Sequence, residues 1–96
     1  MEPVLDKVRQ LVLAGLGTAP ARVWLFGSWA RGEQKRSSDI DIAIDHDGDV
    51  TPRMIAHIRD ILEESTVPYR VDVVDLRLAG EALVNRVRQE GILWRE

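Results

Sequence analysis

The sequence predicts a small α/β (α+β) domain in which one β-sheet is covered by helices. Two short apolar segments and one strictly alternating segment are typical of strands, and three segments with apolar residues at three- and four-residue spacings are typical of amphipathic helices. The two kinds follow one another in the order α-β-(α)-β-α-β-α-(β), without repeats or low-complexity segments. This order favours a single layer of strands with helices packed on it.

The composition limits the classes of protein to which the chain can belong. Its 96 residues, 45% of them apolar, suffice for one domain, which we expect to span residues 1–96. The absence of cysteine excludes disulfides and thiolate metal sites. Because the chain lacks both a long apolar run and a signal-peptide pattern, we expect a cytoplasmic protein that does not enter a membrane. The net charge of −3 argues against direct nucleic-acid binding.

The individual elements follow from the apolar spacing and from the residues that begin and end helices. In chain order they are a helix over 3–16, a strand over 22–26, a short helical turn through Arg31, a strand over 39–45, a helix opened by Thr51 as N-cap and Pro52, a valine-rich strand over 69–76, a helix from about 78 to 90 and a closing strand over 92–94. Gly15, Gly17 and Pro20 are predicted to end the first helix, and Gly91 the last.

The strand over 39–45 alternates strictly between two kinds of side chain. Ile40, Ile42 and Ile44 fall on one face, and Asp39, Asp41, Ala43 and Asp45 fall on the other. Such alternation is typical of a strand with one face buried and the other in water. We therefore expect helices to cover only the isoleucine face.

The position of several other residues in the predicted elements indicates whether their side chains are buried or exposed. Leu78 is expected in the core beneath the last helix. His46, in an acidic turn, is expected to be solvated, and Arg86 and Arg88 are interpreted as ordinary surface charge. Trp29 follows a glycine-serine turn, where base stacking, contact with a partner and simple packing all remain open.

Two short segments carry residues suited to binding a nucleotide. Gly27-Ser28 lies between a strand and the start of a helix, where main-chain N–H groups, a hydroxyl and the helix N-terminus can bind phosphate. Asp39 and Asp41 point the same way on a strand, roughly 6.5–7 Å apart, and carboxylates are ligands that Mg²⁺ prefers. Aspartate is disfavoured in strands, and like charges on one face repel. A solvated polar face remains the alternative for these two residues.

Taken together, the two segments resemble a known signature. Gly27-Ser28-Trp29-Ala30-Arg31-Gly32, followed by Ser38-Asp39-Ile40-Asp41-Ile42, matches the pattern G-S-x-A-R-G, a polar loop and S-D-I-D. This pattern resembles that of the nucleotidyltransferase superfamily that includes DNA polymerase beta, and within it the minimal nucleotidyltransferases. The resemblance covers nearly the whole chain and implies a small mixed sheet with helices packed on it.

The resemblance also implies a third carboxylate in a neighbouring strand, for which the chain offers two candidates. Asp72 is favoured because Arg70-Val71-Asp72-Val73 resembles the family's basic-apolar-Asp-apolar stretch. Asp75 lies on the opposite face of that strand and is interpreted as a surface residue or strand-end cap. Alternation alone does not choose between them, because both faces carry apolar residues.

Roles for the site residues and the cofactors are likewise implied by the resemblance. Asp39, Asp41 and Asp72 would be catalytic and would hold two Mg²⁺ ions, for which Mn²⁺ is an alternative. Gly27, Ser28, Arg31 and Ser38 would bind the triphosphate of ATP. An ion pair with a nearby acid is the alternative reading of Arg31.

The family's small stand-alone members imply a partner. Such proteins pair with a helical HEPN ribonuclease toxin in type VII-like toxin–antitoxin systems. The nucleotidyltransferase silences the toxin by transferring AMP from ATP to a tyrosine hydroxyl. We therefore expect a protein adenylyltransferase in a hetero-oligomer with a HEPN toxin. The alternatives are an antitoxin that masks its partner without catalysis, and a nucleotidyltransferase acting on a small molecule or RNA.

Overall fold

Four strands and four helices make up the computed structural model, which describes residues 2–95. The elements are α1 (Pro3–Leu16), β1 (Arg22–Phe26), α2 (Ser28–Arg31), β2 (Ile40–Asp45), α3 (Pro52–Glu63), β3 (Val71–Asp75), α4 (Glu81–Glu90) and β4 (Ile92–Arg95). The strands form one sheet in the order β3-β2-β1-β4. Strand β1 is antiparallel to β2 and β4, whereas β2 and β3 are parallel, so the sheet is mixed. In residues 2–95 no helix is long and apolar enough to cross a membrane.

Most element boundaries agree with those expected from the sequence. Helix α1 and strand β1 have the predicted bounds, and Thr51 caps α3 by accepting a hydrogen bond from the N–H of Met54 at 3.2 Å. Gly15 does not end α1, however. It lies inside the helix, where an added Cβ would press on Ile58 of α3, so the glycine allows the two helices to approach closely.

The start of α4 and the environment of Leu78 were predicted wrongly. Residues after β3 first form a turn, in which the N–H of Leu78 donates to the carbonyl of Asp75 at 3.1 Å. The helix begins only at Glu81, after an extended Gly80. Leu78 therefore lies in the turn rather than beneath the helix, and its exposed fraction is 77%.

The larger hydrophobic core lies between the isoleucine face of the sheet and the helices α1 and α3. Both helices direct an apolar stripe at the sheet, as their three- and four-residue spacings predict. The fully buried side chains of this core include Val8 and Val12 of α1, Ile58 of α3, Leu25 of β1 and the three isoleucines of β2.

The opposite face of the sheet is also covered, but only in part. Ala43 is fully buried there with Phe26, Leu76 and Val87, the last of which belongs to α4. The expectation that β2 has a single buried face is therefore wrong in the middle of the strand. Because Ala43 is small, α4 can pack closely against the sheet at this point.

His46 is buried and hydrogen-bonded, which contradicts the prediction of a solvated loop residue. Its Nδ1 accepts from the backbone N–H groups of Gly48 at 3.0 Å and Val50 at 3.4 Å. The proton therefore lies on Nε2, which donates to Oδ1 of Asp75 at 2.8 Å. The imidazole thus holds the turn after β2 against the end of β3.

We expect His46→Leu to lower the free energy of unfolding by about 1–3 kcal/mol, because it removes the acceptor of the Gly48 and Val50 N–H groups and the side-chain donor to the Asp75 carboxylate. Urea unfolding measures this change. His57→Leu is the matched control, since His57 is exposed on α3 and its replacement should change stability by less than about 0.5 kcal/mol. Equal effects of the two substitutions would contradict this role of His46.

Candidate active site

Two of the predicted carboxylates lie side by side on adjacent strands. The register pairs Phe26 of β1 with Asp41 of β2, and Asp41 with Asp72 of β3. Residues paired across a sheet point to the same face, and neighbouring strands are about 4.8 Å apart. Asp41 and Asp72 therefore emerge together on the face that α4 covers only in part.

Gly27 allows the Asp41 carboxylate to approach the backbone of the turn between β1 and α2. Its φ of 76° and ψ of −156° belong to a region that is essentially restricted to glycine. A Cβ at this position would overlap Oδ2 of Asp41. Both the conformation of the turn and the space beside it thus require glycine, and Ser28 begins α2 directly afterwards.

An open cavity of about 470 Å³ lies where these elements meet. Its lining consists of Phe26, Gly27, Ser28, Arg31, Asp41, Asp72, Val74, Leu83 and Arg86. Five of the seven predicted site residues are among them. The two that are not, Asp39 and Ser38, lie at the end of the loop that precedes β2.

The electrostatics of Asp41 connect it with Asp39 as well as with Asp72. Burial raises the pKa of the Asp41 carboxyl above its usual value, the negative charges of Asp72 and Asp39 raise it further, and Arg31 opposes them. Asp39 therefore acts electrostatically on Asp41 as Asp72 does, although Asp39 does not line the cavity. A bound cation would relieve this repulsion.

Arg31 fits both of its predicted interpretations. It lines the cavity, and its guanidinium also lies 3.5 Å from Glu33 and 3.7 Å from Glu90 of α4. All three side chains are substantially exposed, so these ion pairs contribute little to stability. They do hold the guanidinium at the rim of the cavity, between α2 and α4.

The loop before β2 is fixed by Trp29 and Ser38. The buried indole of Trp29 donates from Nε1 to the carbonyl of Ser38 at 3.2 Å and contacts Tyr69 edge-to-face. The hydroxyl of Ser38 accepts from the N–H of Lys35 at 2.8 Å. Trp29 is thus a packing residue. Ser38 thus shapes the loop through its hydroxyl and its carbonyl, and its role in binding the nucleotide stays a prediction.

Asp75, the alternative third carboxylate, lies away from the cavity. It is three residues from Asp72 and so on the opposite face of β3. Its Oδ1 accepts from His46 and from the backbone N–H of Arg77 at 3.0 Å. Asp75 therefore belongs to the hydrogen-bonded turn described above, and Asp72 is the candidate that adjoins Asp41.

The residues at the cavity fit a divalent cation, although within residues 2–95 no three acidic or imidazole side chains converge closely enough to form a finished metal site. Their donors are carboxylate oxygens, which Mg²⁺ prefers. The Asp41 carboxylate is partly buried beside Gly27, and the negative charges of Asp72 and Asp39 act on it. A bound cation would neutralise this repulsion.

Sequence reasoning missed the contribution of α4 to the cavity. Leu83 and Arg86 of this helix form part of the lining, whereas Arg86 was interpreted as ordinary surface charge. No local signal could have identified it, because its position depends on how α4 packs across the sheet.

Comparison with known proteins identifies the family. The profile described as "Polymerase beta, Nucleotidyltransferase" matches residues 16–94, which include every element from β1 to α4. The chain belongs to this family. The resemblance inferred from the glycine-serine turn and the Asp-x-Asp segment is thereby confirmed, and so is the nucleotidyltransferase fold.

Individual relatives share both sequence and structure with this nucleotidyltransferase-family chain. A Haemophilus influenzae protein named "Probable protein adenylyltransferase MntA" is 30% identical over 74 residues, which are 77% of this chain and 65% of that protein. The chain thus spans just under two thirds of this relative's length. A toxin–antitoxin structure with AMP-PNP has a TM-score of 0.71 at 30% identity, covering 92% of this chain and 73% of that one. A structure described as that of a minimal nucleotidyltransferase has a TM-score of 0.61 at 31% identity, covering 92% and 90%.

We expect Gly27→Ala to lower the free energy of unfolding by about 1–3 kcal/mol, because alanine is strained in this conformation. It should also abolish Mg²⁺-dependent binding of α,β-methylene-ATP, because the new methyl group displaces the Asp41 carboxylate. Urea unfolding and isothermal titration calorimetry measure the two effects.

Gly32→Ala is the matched control for this substitution. Gly32 also has a positive φ, of 71°, but an added Cβ there meets nothing within 4 Å. Its replacement should cost about 1–2 kcal/mol of stability and leave nucleotide binding intact. Loss of binding in both variants would show that general strain, rather than contact with Asp41, is responsible.

Removing the charge of Asp41 should stabilise the fold in the absence of divalent cations. The pKa of Asp41 is higher in the folded state than in the unfolded chain. At pH values just above the usual pKa of a carboxyl group, the folded state therefore binds more protons than the unfolded chain. The free energy of unfolding consequently falls as the pH rises through this range. We expect Asp41→Asn to raise the free energy of unfolding at pH 7 by about 0.2–1 kcal/mol.

Asp60→Asn, on the exposed face of α3, controls for the change in net charge. Urea unfolding of both variants in a chelating buffer is the measurement. An equal gain in the two would assign the effect to net charge, and a less stable Asp41→Asn would contradict local repulsion.

Proposed function

We propose that this chain is a Mg²⁺-dependent protein adenylyltransferase. It transfers AMP from ATP to a tyrosine hydroxyl of a HEPN ribonuclease toxin and so acts as the antitoxin of the pair. The observation that carries this proposal is the meeting of Asp41, Asp72 and the Gly27-Ser28 turn in one cavity. Carboxylates beside a phosphate-binding turn are the combination that metal-assisted transfer of a nucleotidyl group requires.

The relatives support the choice of protein adenylylation within the family. The similar H. influenzae protein is named as a protein adenylyltransferase, and the similar solved structure is a toxin–antitoxin complex with an ATP analogue. A HEPN protein is proposed as the toxin because small stand-alone members of this family pair with such ribonucleases.

The cation would be held by Asp39, Asp41 and Asp72. When bound, Mg²⁺ neutralises phosphate charge and lowers the pKa of a coordinated hydroxyl. The protein contributes the positions of its carboxylates. The sheet fixes Asp41 and Asp72 on neighbouring strands, and the missing side chain of Gly27 leaves the space that the Asp41 carboxylate occupies.

The remaining groups of the cavity bind and orient the substrates. The Ser28 hydroxyl and the N–H groups of the α2 turn donate to the β- and γ-phosphates, and Arg31 adds positive charge. As the tyrosine oxygen bonds to the α-phosphorus, Asp72 accepts its proton. The bond from the α-phosphorus to the bridging oxygen breaks, and pyrophosphate leaves. Alignment and charge neutralisation provide most of the acceleration.

The openness of the site supports a macromolecular acceptor. Asp72 is exposed, and the α4 side of the cavity ends at solvent. Reactive groups so open to water favour hydrolysis as a side reaction unless something covers them. A protein partner that docks over the cavity would supply both the hydroxyl and the cover.

The test uses the chain co-expressed with the toxin encoded by the neighbouring gene. The complex is incubated with ATP and Mg²⁺, and the intact masses of both chains are measured. We expect the toxin to gain one adenylyl group or a small multiple. Asp39→Ala should abolish the gain, and Asp72→Asn should slow it at least about a hundredfold through loss of the base.

Asp75→Asn is the matched control for Asp72→Asn. An asparagine oxygen still accepts from His46 and Arg77, so this variant should fold and transfer AMP at the normal rate. If Asp75→Asn rather than Asp72→Asn lost activity, the assignment of the third carboxylate would be wrong. A stable complex without any mass change, with all four nucleotides and with Mn²⁺ in place of Mg²⁺, would favour an antitoxin that masks its partner.

A further inference from the structure

Arg86 of α4 contributes a second guanidinium to the lining of the cavity, besides that of Arg31. Its side chain is exposed and lines the same space as Gly27, Ser28 and Arg31. Nothing in the proposed roles of the other residues accounts for a positive charge at this position.

The arginines around Arg86 have carboxylate partners, whereas Arg86 has none among residues 2–95. Arg31 lies within ion-pairing distance of Glu33 and Glu90, and Arg88 lies 3.2 Å from Asp45. No described carboxylate lies within 4 Å of the Arg86 guanidinium. Its charge is therefore available to a ligand, and that of Arg31 is shared with two glutamates.

The charge of the cavity calls for such a group. Asp41 and Asp72 line it and Asp39 acts on it from the loop, so a bound polyphosphate adds negative charge to a site that is already acidic. Bound cations offset part of that charge. The guanidinium of Arg31 is already paired with two glutamates and offsets little of the remaining negative charge. A second guanidinium in the same cavity would offset more of it.

The position of Arg86 along α4 puts it on the phosphate side. Arg86 and Glu90 are four residues apart and so lie on one face of the helix, with about 6 Å between their Cβ atoms. Glu90 pairs with Arg31, which follows the Gly27-Ser28 turn by one helical turn. Arg86 can therefore reach an anion bound at that turn.

We propose that Arg86 binds the polyphosphate of the nucleotide together with the Gly27-Ser28 turn. This inference rests on the proposed function and adds a residue to its substrate site. The planar guanidinium donates two parallel hydrogen bonds to phosphate oxygens, which a lysine does not reproduce. The helix α4 is thereby part of the nucleotide site as well as of the smaller core.

The test measures binding of α,β-methylene-ATP and of AMP, each with Mg²⁺, by isothermal titration calorimetry. We expect Arg86→Ala to weaken binding of the triphosphate analogue about tenfold or more, as loss of a charge-assisted pair does. Binding of AMP should change less than about twofold, because AMP lacks the phosphates concerned. Arg86→Lys should fall between Arg86→Ala and the unsubstituted chain.

Arg88→Ala is the matched control, since Arg88 is an exposed arginine of the same helix whose charge is directed to Asp45, outside the cavity. It should bind the analogue like the unsubstituted chain. Urea unfolding of both variants verifies that α4 remains packed.

Each other result overturns the assignment in a recognisable way. If the unsubstituted chain binds the analogue and Arg86→Ala binds it equally well, Arg86 is not a phosphate ligand, while the proposed function stands. Equal weakening of AMP and the analogue would assign Arg86 to the nucleoside or to general packing. If the unsubstituted chain binds no triphosphate, the proposed function and this inference fail together.

Discussion

The contact between the Asp41 carboxylate and the Gly27 backbone is the constraint on which the site depends. Strand β1 ends at Phe26, because the next residue, Gly27, has a backbone conformation that only glycine adopts readily. The contact also holds a carboxylate at the edge of the buried region, beside a second one on the next strand. Burial raises the pKa of the Asp41 carboxyl, and the negative charges of Asp72 and Asp39 raise it further. Such a site lowers the stability of the protein without ligand, and binding of a ligand to the folded state restores it.

The two faces of the sheet divide stability from function. Helices α1 and α3 pack on one face, and nearly all of the largest fully buried side chains lie between them and this face. Helix α4 covers only part of the other face, where Ala43 and Val87 belong to a small core. Asp41 and Asp72 line the open cavity on that second face. A carboxylate pair can therefore remain open to a substrate without weakening the core that holds the strands in register.

The sequence predicted those parts of the fold that depend on local chemistry. Helix α1 and the cap at Thr51 could be identified because spacing and capping are properties of neighbouring residues. His46 and Ala43 were misassigned because their burial depends on distant elements, and Leu78 was misassigned because a turn precedes the last helix. The turn after β3 leaves Leu78 exposed, a carboxylate from that strand binds His46, and α4 covers Ala43.

The same distinction separates the parts of the site. The glycine-serine turn and Asp41 belong to one continuous motif, so the sequence identified them together. Asp72 was favoured over Asp75 only because its neighbours resemble the family's basic-apolar-Asp-apolar stretch. The register of the parallel strand pair adds that Asp72 lies beside Asp41, which no pattern of neighbours could show. Arg86 was beyond sequence reasoning, since it reaches the cavity only through the packing of α4 across the sheet. That packing depends on Val87, which follows Arg86 directly and is fully buried against the sheet. Because adjacent residues of a helix point in different directions, burial of Val87 fixes the direction of Arg86, and the smaller core thereby positions a charged group at the site.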